Sequence, residues 1–128
     1  MPVRILIVDD HPVARGAVRA LLEQHSLRVC GEAQNGREAI TLVSDLKPDI
    51  VLLDVNMPVM DGLSAAREIR RIAPATIVVF LTIHESSAIV NALQIWSDEF
   101  VPKSEVGSKL IPKLNRLIET LRVPAVAP

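Results

Sequence analysis

Five short apolar runs, each closing on a polar residue, constrain this chain more than any other feature. Val3–Val8 (VRILIV) closes on Asp9-Asp10, Asp49–Leu53 (DIVLL) on Asp54, and Ile77–Leu81 (IVVFL) on Thr82. Leu27–Ala33 is a less uniform run, and Phe100-Val101 is a short last one that stops before Lys103. Runs that do not alternate apolar with polar are the signature of strands covered on both faces, as in a parallel sheet. The intervening segments carry helix spacing with polar backs. Pro12–Gln24 places Val13, Ala17, Leu21 and Leu22 on one stripe. Gly36–Leu46 does so with Ala39, Ile40, Val43 and Leu46. Asp61–Ile72 uses Leu63, Ala66, Ile69 and Ile72. Ser87–Ile95 uses Ala88, Ile89, Ala92, Leu93 and Ile95. Glu105–Leu121 uses Val106, Leu110, Leu114, Leu117, Ile118 and Leu121. Pro48 and Pro74 follow helical patterns, while Asn35-Gly36 and Asp61-Gly62 open them. The order is strand then helix, five times. That predicts an α/β fold: a doubly wound parallel sheet of five strands with helices on both faces. Pro102 cannot donate to a sheet ladder, so the fifth strand is expected at an edge.

The 128 residues suit one domain. Aromatics amount to 2 % (Trp96, Phe80, Phe100), so the core has to be aliphatic, and three rings furnish no base-stacking platform. Fourteen basic against fifteen acidic residues lack the basic excess of a counterion-releasing nucleic-acid binder. The single cysteine, Cys30, forbids an internal disulfide and fits a reducing compartment. No apolar run approaches the roughly 18 residues of a membrane span. The chain turns acidic at Asp9, which does not match a secretory signal. The expectation is a cytoplasmic domain that touches neither membrane nor nucleic acid directly. Val123–Pro128 (VPAVAP) reads as a tail or the start of a linker, leaving 1–122 as the domain.

In an open parallel sheet the ligand crevice lies outside the carboxyl ends of the strands. Asp9, Asp10, Asp54, Thr82 and Lys103 all follow strands and so converge there. Three carboxylates together repel unless a cation neutralises them, and oxygen donors of this kind suit Mg2+. Lys103 and the Thr82 hydroxyl suit a phosphoryl oxygen, and a carboxylate beside the metal can act as a nucleophile. Taken singly, each residue has a plainer role, Asp10 as a helix cap, Thr82 as a strand former and Lys103 as a solvated cation. Their joint placement outweighs those roles. The pattern predicts phosphoryl transfer to Asp54.

The stretches ILIVDDHPVARGAVRA (residues 5–20), VCGEAQNGREA (29–39), KPDIVLLDVNMPVMDGL (47–63), VVFLTIH (78–84) and FVPKS (100–104) resemble the receiver domain of bacterial two-component response regulators. Their wording is similar to the subfamily that carries a C-terminal helix-turn-helix. The resemblance implies a flavodoxin-like (βα)5 fold with strand order 2-1-3-4-5. It implies Asp54 as the phosphoacceptor, charged by a sensor histidine kinase. It implies Asp10, Asp54 and the Asn56 backbone carbonyl as ligands of Mg2+, or Mn2+ in its place, with Asp9 acting on the ion largely through water. Thr82 and Phe100 become the switch pair, and Lys103 the phosphoryl contact. Asn56 and His84 become the positions that tune dephosphorylation, while Pro58 and Gly62 shape the adjoining loop. It further implies self-catalysed transfer and hydrolysis rather than enzyme turnover, homodimer formation on phosphorylation, and control of an output partner or domain, with transcription the expected output. The subfamily favours a C-terminal DNA-binding domain outside this chain, while the length suits a stand-alone receiver.

The chain departs from the family pattern in two places. Ile95-Trp96-Ser97 stands where small residues are usual, which removes an easy left-handed cap after the fourth helix. Trp96 is expected to pack into the domain, with exposure as a binding anchor the alternative. Pro102 fixes its own φ just before Lys103 and bears on the lysine's approach. His11 is expected to cap the first helix rather than bind metal. His25 and Cys30 read as structural. Arg67, Arg70 and Arg71, like Lys109, Lys113, Arg116 and Arg122, read as a solvated face or partner surface rather than a DNA patch. The alternative function is a haloacid-dehalogenase-like Mg2+-dependent phosphatase, but that family places its nucleophile after the first strand and has an acid where Asn56 stands. A flavodoxin-like nucleotide binder would want glycines where the first loop reads DDHPVA.

Overall fold

The computed structural model describes residues 2–83 and 87–122, without the side chains of Ser87 and Arg122. His84 and residues 123–128 lie outside the described residues. The strands are β1 (Arg4–Val8), β2 (Arg28–Ala33), β3 (Ile50–Asp54), β4 (Ile77–Thr82) and β5 (Glu99–Pro102). The helices are α1 (Pro12–Gln24), α2 (Gly36–Leu46), α3 (Gly62–Ile72), α4 (Ser87–Trp96) and α5 (Ile111–Arg122). All four strand pairings are parallel, in the order β2-β1-β3-β4-β5. The fold is the doubly wound α/β sheet that the apolar runs predict, and β5 with its Pro102 is an edge strand.

Alternate residues of each strand face opposite sides, which divides the core in two. Ile5, Ile7, Ile50, Leu52, Val79, Leu81 and Val101 meet α1 and α5 through Val18, Leu22, Leu114 and Ile118. Leu6, Val8, Val51, Leu53, Val78 and Phe80 meet α2, α3 and α4 through Ala39, Val43, Ala66, Ile69 and Leu93. Complete burial of such a side chain contributes about 1.5–3 kcal/mol. Among the described residues two helices begin on side-chain caps, the Asn35 amide oxygen accepting from Glu38 N–H and the Asp61 carboxylate from Ser64 N–H, both at 2.8 Å.

Several helical faces differ from the sequence pattern. Val13 is 87 % exposed and Ala17 is exposed as well; of the expected α1 stripe Leu22 is buried and Leu21 half-buried, and Val18 completes the buried face. Ile95 is 72 % exposed, while Leu93 is the fully buried residue of α4. The last helix does not run unbroken from Glu105. A 3-10 turn (Lys103–Glu105) and a π turn (Val106–Leu110) precede α5. Pro112 gives the reason: it has no N–H for the Ser108 carbonyl, and its ring would collide with that carbonyl in a regular helix.

Trp96 packs half-buried against the second core, with the Arg67 guanidinium 5.5 Å above its ring. Ser97 supplies the end that a glycine would have made, its hydroxyl donating to the Leu93 carbonyl at 2.6 Å. Asp98 then accepts from the Val78 N–H and from Arg70, both at 2.9 Å. Arg70 is therefore a tie between α3 and the start of β5, not a solvated cation.

Candidate phosphoacceptor site

The strand registers line up the polar residues before any side chain is considered. Val8 pairs with Leu53, so Asp9 emerges beside Asp54, and Asp54 itself pairs with Leu81. Thr82 pairs with Pro102, which places Lys103 at the same sheet end. Asp9 and Asp54 are buried, at 2 % and 4 % exposure, and Thr82 is completely so. Lys103 Nζ donates to Asp9 Oδ2 at 3.0 Å and stands 3.4 Å from Asp54 Oδ2. Pro102, with φ −59°, leaves that approach open.

Burial pushes the Asp54 carboxyl above the ordinary carboxylate range; Lys103 draws it back in part, the Asp9 charge adds to the rise, and the Asn56 backbone N–H favours the ionised form. Burial alone would lower the Lys103 ammonium, but its bond to Asp9 and the charges of Asp54 and Asp9 leave it above its usual value. Asp10 is half-buried, and its Oδ1 is buried with no hydrogen-bond partner. A buried orphan oxygen costs free energy, and a hard cation at this point would satisfy it. One ligand atom from each of Asp9, Asp10, His11 and Asp54 falls within 4.8 Å of the others, so the donor set fits a divalent ion.

The residues brought together are therefore Asp9, Asp10, Asp54, Lys103 and, at the same end of the sheet, Thr82. Two further participants were not assigned there from sequence. His11 occupies the N-cap position of α1, but its side chain makes no capping bond. Its Nδ1 lies 3.1 Å from Asp10 Oδ1 and 3.4 Å from Asp9 Oδ1. Contiguity in Asp-Asp-His was the available signal. Lys113 is the other. It donates to Glu99 Oε1 at 3.2 Å and to the Phe100 carbonyl at 3.1 Å, with its ammonium 5.6 Å from the Phe100 ring centre. It holds the half-buried Phe100 from α5 and is not a solvated cation. No sequence spacing marks that contact, which exists only because α5 packs beside β5.

The β3–α3 loop is tight. Met60 N–H donates to the Pro58 carbonyl at 2.7 Å around Val59, whose φ is +69°. A β-branched residue is strained there. Val59 is 71 % exposed and contributes little packing. Val59→Gly is expected to raise stability by up to about 1 kcal/mol, the relieved strain exceeding the added freedom of the unfolded chain. Chemical denaturation measures it; a lower midpoint would show that the φ is not strained.

Residues 5–115 match the family described as the response regulator receiver domain. The chain belongs to that family. It is 36 % identical over 115 residues to the chemotaxis protein CheY of Thermotoga maritima, covering 89 % of this chain and 96 % of that protein. It is 44 % identical over 123 residues to protein-glutamate methylesterase/protein-glutamine glutaminase 1 of Methanosarcina mazei, covering 94 % of this chain but 34 % of that protein. The chain thus spans about a third of the length of such methylesterase relatives. Among solved structures, a LuxR-family two-component response regulator from Aurantimonas sp. SI85-9A1 superposes with a TM-score of 0.86 at 31 % identity, covering 94 % of this chain and 87 % of that one. As a receiver domain, the chain belongs to two-component signalling. No helix among the described residues is long and apolar enough to cross a membrane.

Proposed function

We propose that this receiver domain is a phosphorylation-controlled switch in which Asp54 accepts the phosphoryl group. The observation that carries this reading is Lys103, which bridges Asp9 and Asp54 at the carboxyl end of the sheet. The donor is a sensor histidine kinase. An Asp54 oxygen bonds to phosphorus as the phosphorus–nitrogen bond of the donor phosphohistidine breaks, and the electron pair of that bond stays on the imidazole. Asp9, Asp10, Asp54 and the Asn56 backbone carbonyl would hold Mg2+ or Mn2+, which would supply positive charge against the transferring group. Lys103 contributes a second positive charge and a donor, fixed in place by Asp9. The Thr82 hydroxyl and the Phe100 ring then form the switch, carrying the change to the α4–β5–α5 face. Lys113 holds Phe100 in the unphosphorylated state. Asn56 and His84 tune hydrolysis.

On this reading residues 1–122 form the switch domain and 123–128 a tail or linker. The domain performs self-catalysed transfer and hydrolysis and is not a turnover enzyme. It acts in the cytoplasm, pairs with itself on phosphorylation, and does not bind nucleic acid itself. The output is transcriptional, through a DNA-binding domain, as the resemblance to the subfamily with a C-terminal helix-turn-helix implies. The 44 % identity to a methylesterase relative favours a second reading, in which the domain regulates an attached effector enzyme.

Metal dependence tests the site. Calorimetric titration is expected to give Mg2+ binding to the wild-type domain, weakened about tenfold or more in Asp10→Asn. Equal affinity in the two proteins would reduce the acidic pair to a structural role.

A further inference from the structure

We propose that His11 is an imidazole ligand of the divalent-cation site and shifts its preference from Mg2+ toward the later first-row ions, Co2+, Ni2+ and Zn2+. The inference rests on the reading that Asp9, Asp10 and Asp54 hold a divalent ion.

Spacing is the first support. Ligands that share one ion through bonds of about 2.0–2.2 Å stand roughly 3.0–3.4 Å apart along the edges of an octahedron or tetrahedron. His11 Nδ1 lies 3.1 Å from Asp10 Oδ1 and 3.4 Å from Asp9 Oδ1. The second support is what the nitrogen does not do. Asp10 Oδ1 receives no hydrogen bond, although the imidazole is near it, and the His11 side chain caps nothing. The two atoms stand 3.1 Å apart with no hydrogen bond between them.

The backbone presents the ring there. The His11 N–H donates to Asp9 Oδ1 at 2.9 Å, and the His11 carbonyl accepts from Arg15 N–H at 2.9 Å. Lys103 approaches the opposite oxygens, Oδ2 of Asp9 and Oδ2 of Asp54. The oxygens nearest His11 therefore stay clear of the ammonium. The side chain is 70 % exposed, so the ring can turn onto an ion without disturbing the core.

Ligand type sets the consequence. Carboxylate, carbonyl and water donors suit Mg2+, whereas imidazole suits Co2+, Ni2+ and Zn2+, whose affinities rise along the first row. One nitrogen added to an oxygen set strengthens binding of the latter ions far more than of Mg2+.

The test compares wild type, His11→Ala and Asp10→Asn by calorimetric titration with Mg2+ and with Ni2+ at neutral pH, alongside the visible spectrum of the Co2+-loaded proteins. His11→Ala is expected to lose about tenfold or more in Ni2+ affinity, to stay within about twofold for Mg2+, and to alter the Co2+ ligand-field bands. Mg2+ should displace Co2+ from the wild-type protein, which places both at one site. An unchanged Ni2+ to Mg2+ affinity ratio, or an unchanged Co2+ spectrum, in His11→Ala would overturn the inference while leaving the carboxylate site intact. Ni2+ binding that survives Asp10→Asn and is not displaced by Mg2+ would also overturn it. Absence of Mg2+ binding in the wild type would instead strike the carboxylate reading itself.

Discussion

Gly62→Ala is expected to cost about 3 kcal/mol or more of folding stability and to disable the site with it. A β-carbon built on Gly62 would stand 2.1 Å from the Asp54 carbonyl oxygen and 2.9 Å from both Asp54 C and Val55 Cα. These are backbone atoms at the end of β3 and cannot rotate aside as a side-chain tip could. Gly62 N–H also donates to the Val55 carbonyl at 2.8 Å, so the start of α3 is fastened to the segment it would have to leave. Overpacking against a well-fixed core costs about 1–3 kcal/mol, and a backbone clash belongs at or beyond the top of that range. Relief requires α3 to lift or Asp54 to shift, and either spoils the alignment with Lys103. Gly16→Ala provides the control, since nothing lies within 4 Å of its added carbon. In mid-helix that change should be neutral or stabilising by up to about 1 kcal/mol. Urea unfolding of both variants decides the matter. Equal midpoints for the two would mean that the α3 start yields freely.

Lys103→Met should have the other large effect, and its pH dependence identifies the cause. Without the ammonium, the buried carboxylates of Asp9 and Asp54 face each other and Asp10 with no cation among them. Removing one partner of a buried pair typically costs about 3–5 kcal/mol; Lys103 retains some solvent contact, so about 2–3 kcal/mol is expected at neutral pH without metal. A carboxyl whose folded pKa is raised makes the native state bind more protons than the unfolded one. Its penalty is therefore absent below the unfolded carboxyl range and grows as pH rises through the folded pKa. Asp54 is already raised by burial, and loss of Lys103 raises it further. The deficit of Lys103→Met should accordingly be largest at neutral pH and shrink on acidification. The wild-type lysine has its own raised pKa, so its stabilisation is full below the unfolded lysine value and lost as pH rises through the folded one. Adding Asp54→Asn to Lys103→Met should recover part of the stability, as coupled neighbours do. A deficit independent of pH would assign the effect to lost packing of the lysine stem. Labelling of Asp54 should slow about 10²-fold as well, the cost of removing one charge-stabilising donor.

The sheet and the site were legible in the sequence for one shared reason. A strand covered on both faces must be apolar throughout, so the residues that break the run (Asp9, Asp54, Thr82 and Lys103) mark both the strand's end and the crevice above it. Pro102 gave the edge because a missing N–H has a local consequence. Helical faces were less legible. Val13 and Ile95 fit an apolar stripe as well as their neighbours do, and only docking against the sheet decides which rotation is buried. The π turn before α5 had a local cause in Pro112, but a proline about two turns into an amphipathic stretch is hidden by the stripe around it. Lys113 and Arg70 resemble surface cations in sequence; their partners, Glu99, Phe100 and Asp98, sit on elements that only the tertiary fold brings near. His11 was adjacent to its partners and still ambiguous, since helix capping and metal ligation favour the same position after an acidic pair.

Locating the phosphoryl group tests the central claim most directly. The domain is incubated with acetyl phosphate and Mg2+, the acyl phosphate is trapped by borohydride reduction, and the modified peptide is sequenced by mass spectrometry. One modification at Asp54 is expected, absent when Mg2+ is chelated and absent in Asp54→Asn. Modification at another residue of the wild type, or undiminished labelling of Asp54→Asn, would contradict the account.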